Sequence, residues 1–466
     1  MSEKSQAQLL KDRLFNKNKN GYFRASENDI DSAFDFANDY SKFLNESRTE
    51  RIFVKNAITL AENHGFTEFD RSKTYAPGDK VYVNNRGKAL MLCVIGKEPI
   101  SNGVMIAAAH IDSPRIDLKA NPLYENDGLA YFKTHYYGGI KKYQWPAIPL
   151  ALYGTVVKAD GSVIDISIGD SDDEPKFVIT DLLPHLAREQ YKRPAPQLIR
   201  GEELNILIGS RPFNDDEASE AVKLNIMRLI NEKYGMIEQD FVSAELSLVP
   251  AFNVSDIGFD RSMVGGYGHD DRVCAYPALM AAVNVESPEK TVISVLTDKE
   301  EVGSDGNTGL QSAYMKNFIC DLAKMQNTDG YLVLSNSKCL SADVNAAYDP
   351  TFSDVFERAN CSVINGGVVI TKYTGSGGKG DTSDASAEYM GYIRNMLERN
   401  NIVWQTGELG KVDAGGGGTV AKYIANLDVE TVDLGVPVLS MHSPFEVISK
   451  LDLYMAYRAF LSFFRD

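Results

Sequence analysis

The chain opens in a helical texture. Ser26-Glu27-Asn28-Asp29 offers an N-terminal cap, and Ala33, Phe34, Phe36 and Ala37 begin an apolar stripe that Tyr40, Phe43 and Leu44 continue. Residues 1–75 therefore read mainly as helix. From Lys80 the pattern changes to short β-rich runs at 81–83 and 89–94, and the run 103–109 is continuously apolar, as in a strand buried on both faces. Residues 119–248 differ again: 155–158 and 162–168 flank Ala159-Asp160-Gly161, a hairpin turn between partly alternating strands. Beyond about 250, apolar runs at 291–296, 331–334, 367–370 and 432–439 read as strands. Helical segments at 272–285, 386–399, 420–426 and 451–464 follow or separate them. That alternation predicts a parallel sheet covered by helices. The expected architecture is α/β: a parallel-sheet catalytic domain over 1–118 and 249–466, interrupted by a β-rich domain at 119–248.

Composition narrows the function classes. The 466 residues allow two to four domains at the usual ~100–200 residues each. With 44% apolar and 24% charged residues the chain is globular in type, not disordered. A formal charge of −16 and a pI near 5.0 repel phosphate backbones, and no basic patch offsets them, so no nucleic-acid partner is expected. No apolar stretch approaches the ~18 residues of a membrane span, and Met1-Ser2-Glu3-Lys4 starts no signal peptide. The five cysteines form no CxxC pair, which fits a reducing compartment and predicts a cytoplasmic protein.

The chemistry lies where polar residues follow the strands. His110 ends the run 103–109, Glu300-Glu301 follow 291–297, Asp343 follows 331–334, and His442 comes three residues after 432–439. In an open parallel sheet the carboxyl ends of the strands share one rim, where ligands bind. Gly268-His269-Asp270-Asp271-Arg272 adds two acids at a helix start, where one would serve as a cap. Two histidines with several carboxylates suit Zn²⁺, Co²⁺ or Mn²⁺ better than Ca²⁺ or Mg²⁺. A pair of such ions acidifies water and polarises a carbonyl, and a glutamate that binds neither ion then moves the proton. Glu300 and Glu301 offer one residue for each role. Asp112, two residues after His110, is placed to hold the imidazole's other N–H. The residues alone do not choose between Asp270 and Asp271.

His110-Ile111-Asp112-Ser113-Pro114, Asp270-Asp271, Glu300-Glu301-Val302-Gly303-Ser304, Ser341-Ala342-Asp343 and Met441-His442-Ser443 together resemble the aspartyl aminopeptidase family of dinuclear zinc metallopeptidases. Tyr137-Gly138-Gly139 and Pro184-His185-Leu186-Ala187 are similar as well. The resemblance implies His110, Asp270, Glu301, Asp343 and His442 as ligands of two zinc ions per subunit, with Co²⁺ or Mn²⁺ as substitutes and Asp270 bridging. It implies Glu300 as general base and Asp112 as the partner of His110. It further implies removal of one N-terminal residue from peptides, Asp or Glu being preferred by many members. A large homo-oligomer is implied too, a tetrahedral dodecamer built through the inserted domain, with His185 reaching a neighbouring active site. Lys372 is the expected contact for an acidic substrate side chain.

Other readings carry less. Gly375-Ser376-Gly377-Gly378-Lys379-Gly380 matches GxGxxG, but Asp381 and Asp384 would repel a pyrophosphate there. A dinuclear hydrolase of non-peptide amides would use the same water chemistry. A non-catalytic self-assembling protein on the same fold is the other alternative. Such a protein has no need of a base at Glu300.

Overall fold

A computed structural model describes residues 4–15, 19–171, 173–215 and 217–466; of the 1–75 region read as helical, 1–3 and 16–18 lie outside them. The centre is a nine-stranded mixed sheet. Its middle four strands, Val292–Thr297, Met105–His110, Lys338–Ser341 and Glu430–Gly435, are parallel. Antiparallel partners flank them: Ala89–Val94 on one side and Val368–Thr371 on the other. The sheet is thus mixed: a parallel heart between antiparallel neighbours, with one further parallel pair at each edge. All six residues of Met105–His110 are buried because helices cover both faces. Ala107, Ala109 and Leu340 pack toward the helices His269–Asn284 and Lys450–Phe464. Ile106, Ala108 and Ile293 pack toward Tyr314–Met325.

Between Arg115 and Pro250 the chain builds a separate seven-stranded antiparallel sheet with its own core, including Trp145, Phe132 and Phe241. The expected hairpin is there, Leu150–Val157 against Val163–Ile168. A third sheet of five short strands includes Met263–Gly266, Glu446–Ser449 and Pro437–Leu439. At the N-terminus, the Ser26 hydroxyl accepts the Asp29 N–H at 3.1 Å and caps the helix Glu27–Glu46 as expected. Among the described residues no helix is long and apolar enough to cross a membrane.

Two expectations need correction. Residues 331–334 are not a strand but part of the helix Gly330–Ser335, capped by the Asp329 side chain. Val333 and Leu334 are buried while Tyr331 and Leu332 are exposed, a one-sided burial that a short apolar run does not announce. The strand that carries Asp343 is Lys338–Ser341. Residues 432–439 are two strands, not one: Glu430–Gly435 stays in the central sheet and Pro437–Leu439 joins the five-stranded sheet. Pro437 has no N–H to give to a continuing ladder. A side chain at Gly435 would collide with the Asp343 carbonyl, so glycine there lets the Asp343 loop lie directly on the strand.

Candidate metal centre

The site forms where the three sheets meet. His110 ends a central strand, and Glu300 and Glu301 begin a single 3₁₀ turn after Val292–Thr297. Asp343 follows Lys338–Ser341. Asp270 follows Met263–Gly266, and His442 follows Pro437–Leu439, both strands of the five-stranded sheet. The rim of the central sheet alone does not carry the set.

Asp270 lies in the middle. Its Oδ1 is 3.2 Å from His110 Nε2 and its Oδ2 is 3.1 Å from His442 Nε2. The other nitrogen of each ring is committed: His110 Nδ1–H donates to the backbone carbonyl of Asp112 at 3.0 Å, nearer than the Asp112 carboxylate expected to hold it, which is 3.4 Å away, and His442 Nδ1–H donates to the Gly139 carbonyl at 2.8 Å. That fixes both tautomers and points both Nε2 lone pairs at one carboxylate. Lone pairs and carboxylate oxygens repel unless a proton or a cation lies between them. Glu301 Oε2 is 3.6 Å from His442 Nε2, while Asp343 Oδ1 and Glu300 Oε2 are each 3.9 Å from His110 Nε2. The buried Glu301 Oε1 has no hydrogen-bond partner. Imidazole nitrogens and carboxylate oxygens of this kind, one of them orphaned in the interior, fit a divalent cation of the zinc type. Donor atoms close enough together to share one ion form two groups, His110 with Asp270 and Glu301, and His110 with Glu300 and Asp343; Asp271, buried beside Cys274, is in neither.

Electrostatics reflect the crowding. Burial alone would lower the His110 pKa, but Asp112 and Asp270 hold it well above the ordinary imidazole range. Burial opposes ionisation of Asp270 too, yet the two imidazoles drive its pKa far below a usual carboxylate. Burial pushes Glu300 up to about 7, with Asp112 and Asp270 adding to the rise and His110 opposing it. Burial also raises Glu301 and Asp343 well above their ordinary values.

Surrounding residues hold this geometry. Asp112 takes the Tyr137 hydroxyl at 2.8 Å and the N–H groups of Glu300 and Glu301 at 3.2 and 3.3 Å, so one carboxylate orients the whole glutamate turn. The Arg115 guanidinium lies 3.9 Å from the Tyr137 ring centre and pairs with Glu50 at 3.1 Å. Glu446, buried, accepts the N–H groups of Asp270 at 3.1 Å and His442 at 2.7 Å. Gly138 has φ +75°, and a Cβ there would come 3.2 Å from Glu301 Oε2. Tyr137→Phe should weaken zinc affinity about 10-fold, the low end for loss of a residue that orients a ligand. Chelator competition would measure it, and unchanged affinity would remove Tyr137 from this support.

The site opens into a cavity of about 480 Å³ lined by Asp270, Glu300, Glu301, Asp343 and His442. The glycine-rich segments contribute Thr374, Asp381 and residues 416–419 to its far wall, which Asn345, Thr371, Lys422 and Asp433 complete. Lys372 is not among the lining residues; it is exposed and 3.6 Å from Asp384. Lys422 holds the position expected of a cation, and pairs with Asp381 at 2.7 Å. His185 is exposed on the inserted sheet's loops and lines no part of the cavity. The glycine-rich segments meet as a two-stranded ribbon, Gly375–Ser376 against Gly416–Gly417, at the cavity edge. Two signals were legible for the missed residues. Asp433 interrupts an apolar, buried run at Val432-Asp433-Leu434, and Glu446 stands between the apolar, half-buried Phe445 and Val447.

Comparison with known proteins agrees with this chemistry. Residues 43–464 match the family model described as aminopeptidase I zinc metalloprotease (M18). A probable M18 family aminopeptidase 1 of Clostridium acetobutylicum is 46% identical over 460 residues, 96% of this chain and 99% of the relative. The crystal structure of an M18 aminopeptidase from Thermotoga maritima superposes with a TM-score of 0.92 at 41% identity, over 97% of this chain and all of the other. The S. cerevisiae mApe1 dodecamer shares the fold, with a TM-score of 0.74 at 21% identity over 92% of this chain and 96% of that one. With its histidines and carboxylates gathered around Asp270 and a match along nearly its whole length, the chain belongs to the M18 family of zinc metalloproteases, the aminopeptidases.

Proposed function

We propose that this aminopeptidase holds two metal ions per subunit, one by His110, Asp270 and Asp343 and the other by Asp270, Glu301 and His442. The observation that carries this reading is the single Asp270 carboxylate, with one oxygen against each histidine. Such an ion pair supplies Lewis acidity toward the scissile carbonyl and acidifies a water.

Glu300 and Asp343 are equally far from His110, so exposure separates their roles. The Glu300 side chain is 19% exposed on the cavity wall, against 2% for Glu301 and 11% for Asp343. Glu300 is thus the carboxylate that water reaches most easily. It takes the proton from the attacking water and delivers it to the leaving amine. Its Asp112-bound backbone N–H keeps it on the cavity side throughout.

The seven-stranded sheet is the inserted domain of this reading and the seat of assembly. Support comes from the loop around His185, where Leu182, Leu183 and Leu186 are 51%, 50% and 67% exposed, more apolar surface than one loop of a lone subunit normally leaves to water. In a tetrahedral dodecamer that loop would meet a neighbour, and His185 with it. Light scattering that gave a monomer would end the assembly part of the proposal.

The test of function uses chelator-stripped protein. Adding Zn²⁺, Co²⁺ or Mn²⁺ should restore release of one N-terminal residue from aminoacyl substrates carrying Asp, Glu, Leu, Lys or Arg, with two ions bound per chain. Activity that survives stripping, or one ion at saturation, would contradict the proposal.

A further inference from the structure

One carboxylate in the cavity takes no part in the chemistry above. Asp433 belongs to the strand Glu430–Gly435, with Ser341 and Thr371 as its partners in register. Val432 and Leu434 on either side of it pack into the apolar core. Strand alternation therefore turns Asp433 to the opposite face, where it lines the cavity. The residue is only 4% exposed; burial pushes its pKa up to about 7, against the hydrogen bonds that the Thr419 and Ser341 hydroxyls give its carboxylate. Hydroxyls satisfy a buried carboxylate without neutralising it, and a buried charge with no counter-cation is costly. Here the open side of the group is the substrate cavity.

Register gives its depth. Asp433 pairs with Ser341, Ser341 with Ala108, and Ala108 lies two residues before His110. At ~3.3 Å per residue, Asp433 sits roughly 7 Å below the level at which His110 leaves the sheet. A substrate whose scissile bond lies at the metal centre reaches that depth only with a long side chain. The four-carbon stem of lysine, or the arm of arginine, suits it.

Charge points the same way. Lys422 is the one lysine or arginine on the cavity wall among the described residues, and Asp381 already holds it at 2.7 Å. Away from the metal centre the wall thus carries two aspartates against one lysine. An acidic side chain would meet a paired cation and a carboxylate with no counter-ion; a basic one would give Asp433 the cation it lacks.

We propose that Asp433 is the floor of the subsite for the side chain of the substrate's first residue, and that it selects Lys or Arg there over Asp or Glu. This rests on the aminopeptidase reading and adds its substrate class.

The test is kcat/KM of the metal-loaded full-length protein on Lys, Arg, Leu and Asp aminoacyl substrates, for wild type and Asp433→Asn. Wild type should cleave the Lys and Arg substrates best. In Asp433→Asn the Lys-to-Leu ratio should fall about 10–100-fold, the range for a hydrogen bond to a charged group. A fall shared by all substrates, leaving the ratio unchanged, would show Asp433 to be structural and overturn the proposal. If the variant does not fold, the wild-type panel still decides: preference for Asp, or none for Lys and Arg, overturns it. Release from Leu or Asp substrates alone would leave the aminopeptidase reading standing, whereas silence on every substrate with metals bound would sink that reading instead.

Discussion

Glu300→Gln is expected to lower kcat by about 10²–10⁴-fold, the usual contribution of a positioned general base, while the metal content stays at the wild-type level. The carboxamide has nearly the same shape, and the turn that carries it is held through its backbone, by Asp112 at the N–H groups of residues 300 and 301. What disappears is the proton-accepting oxygen. Burial pushes the Glu300 pKa up to about 7, and the charge of bound cations would lower it, leaving the carboxylate free to take a proton at neutral pH. Rapid-mixing kinetics beside elemental analysis would separate the two effects. A variant with near-normal turnover would end the assignment, and one that lost metal would make Glu300 a ligand.

Asp270→Asn should act differently, removing metal and activity together. Both oxygens of Asp270 face an imidazole nitrogen, at 3.2 and 3.1 Å. Asparagine keeps one acceptor oxygen and would turn an NH₂ toward the other ring, where it can bind no cation. The expected result is fewer than two ions bound at saturation and a loss of kcat/KM above about 100-fold, more than the loss of a residue that only orients a ligand. Because bound metal stabilises only the folded state, added Zn²⁺ should also raise Tm less than in wild type. If Asp270→Asn bound both ions with wild-type affinity, the bridging role would fall.

Much of this site could be read from the sequence for a physical reason. A polar residue directly after a continuously buried strand has to emerge at the sheet's edge, as His110 and the Glu300-Glu301 pair do. The failures are physical as well. The apolar run 331–334 was too short for its period to separate strand from helix, and Asp329 capped it as a helix. Residues 432–439 hid a change of sheet because both halves are apolar; Gly435 and Pro437 were the only local marks of the break. Lys372 adjoins a glycine-rich segment in the chain, but position along the chain does not reveal how such a segment folds back, and Lys422 is the lysine that lines the cavity. The pairing of Gly375–Ser376 with Gly416–Gly417 decides which lysine meets the cavity. Glu446 acts through two backbone N–H groups, a role without a side-chain motif.

The strand Leu129–Tyr137 of the inserted sheet ends at the metal centre, giving Asp112 its Tyr137 hydroxyl and, two residues on, His442 its Gly139 carbonyl. The insertion is therefore not a detachable module. An engineer who trimmed it to obtain a minimal monomeric enzyme would also delete the group that sets the tautomer of His442. Any truncation would have to keep at least the hairpin Arg115–Asn126 with Leu129–Tyr137, together with the glycine pair that follows it.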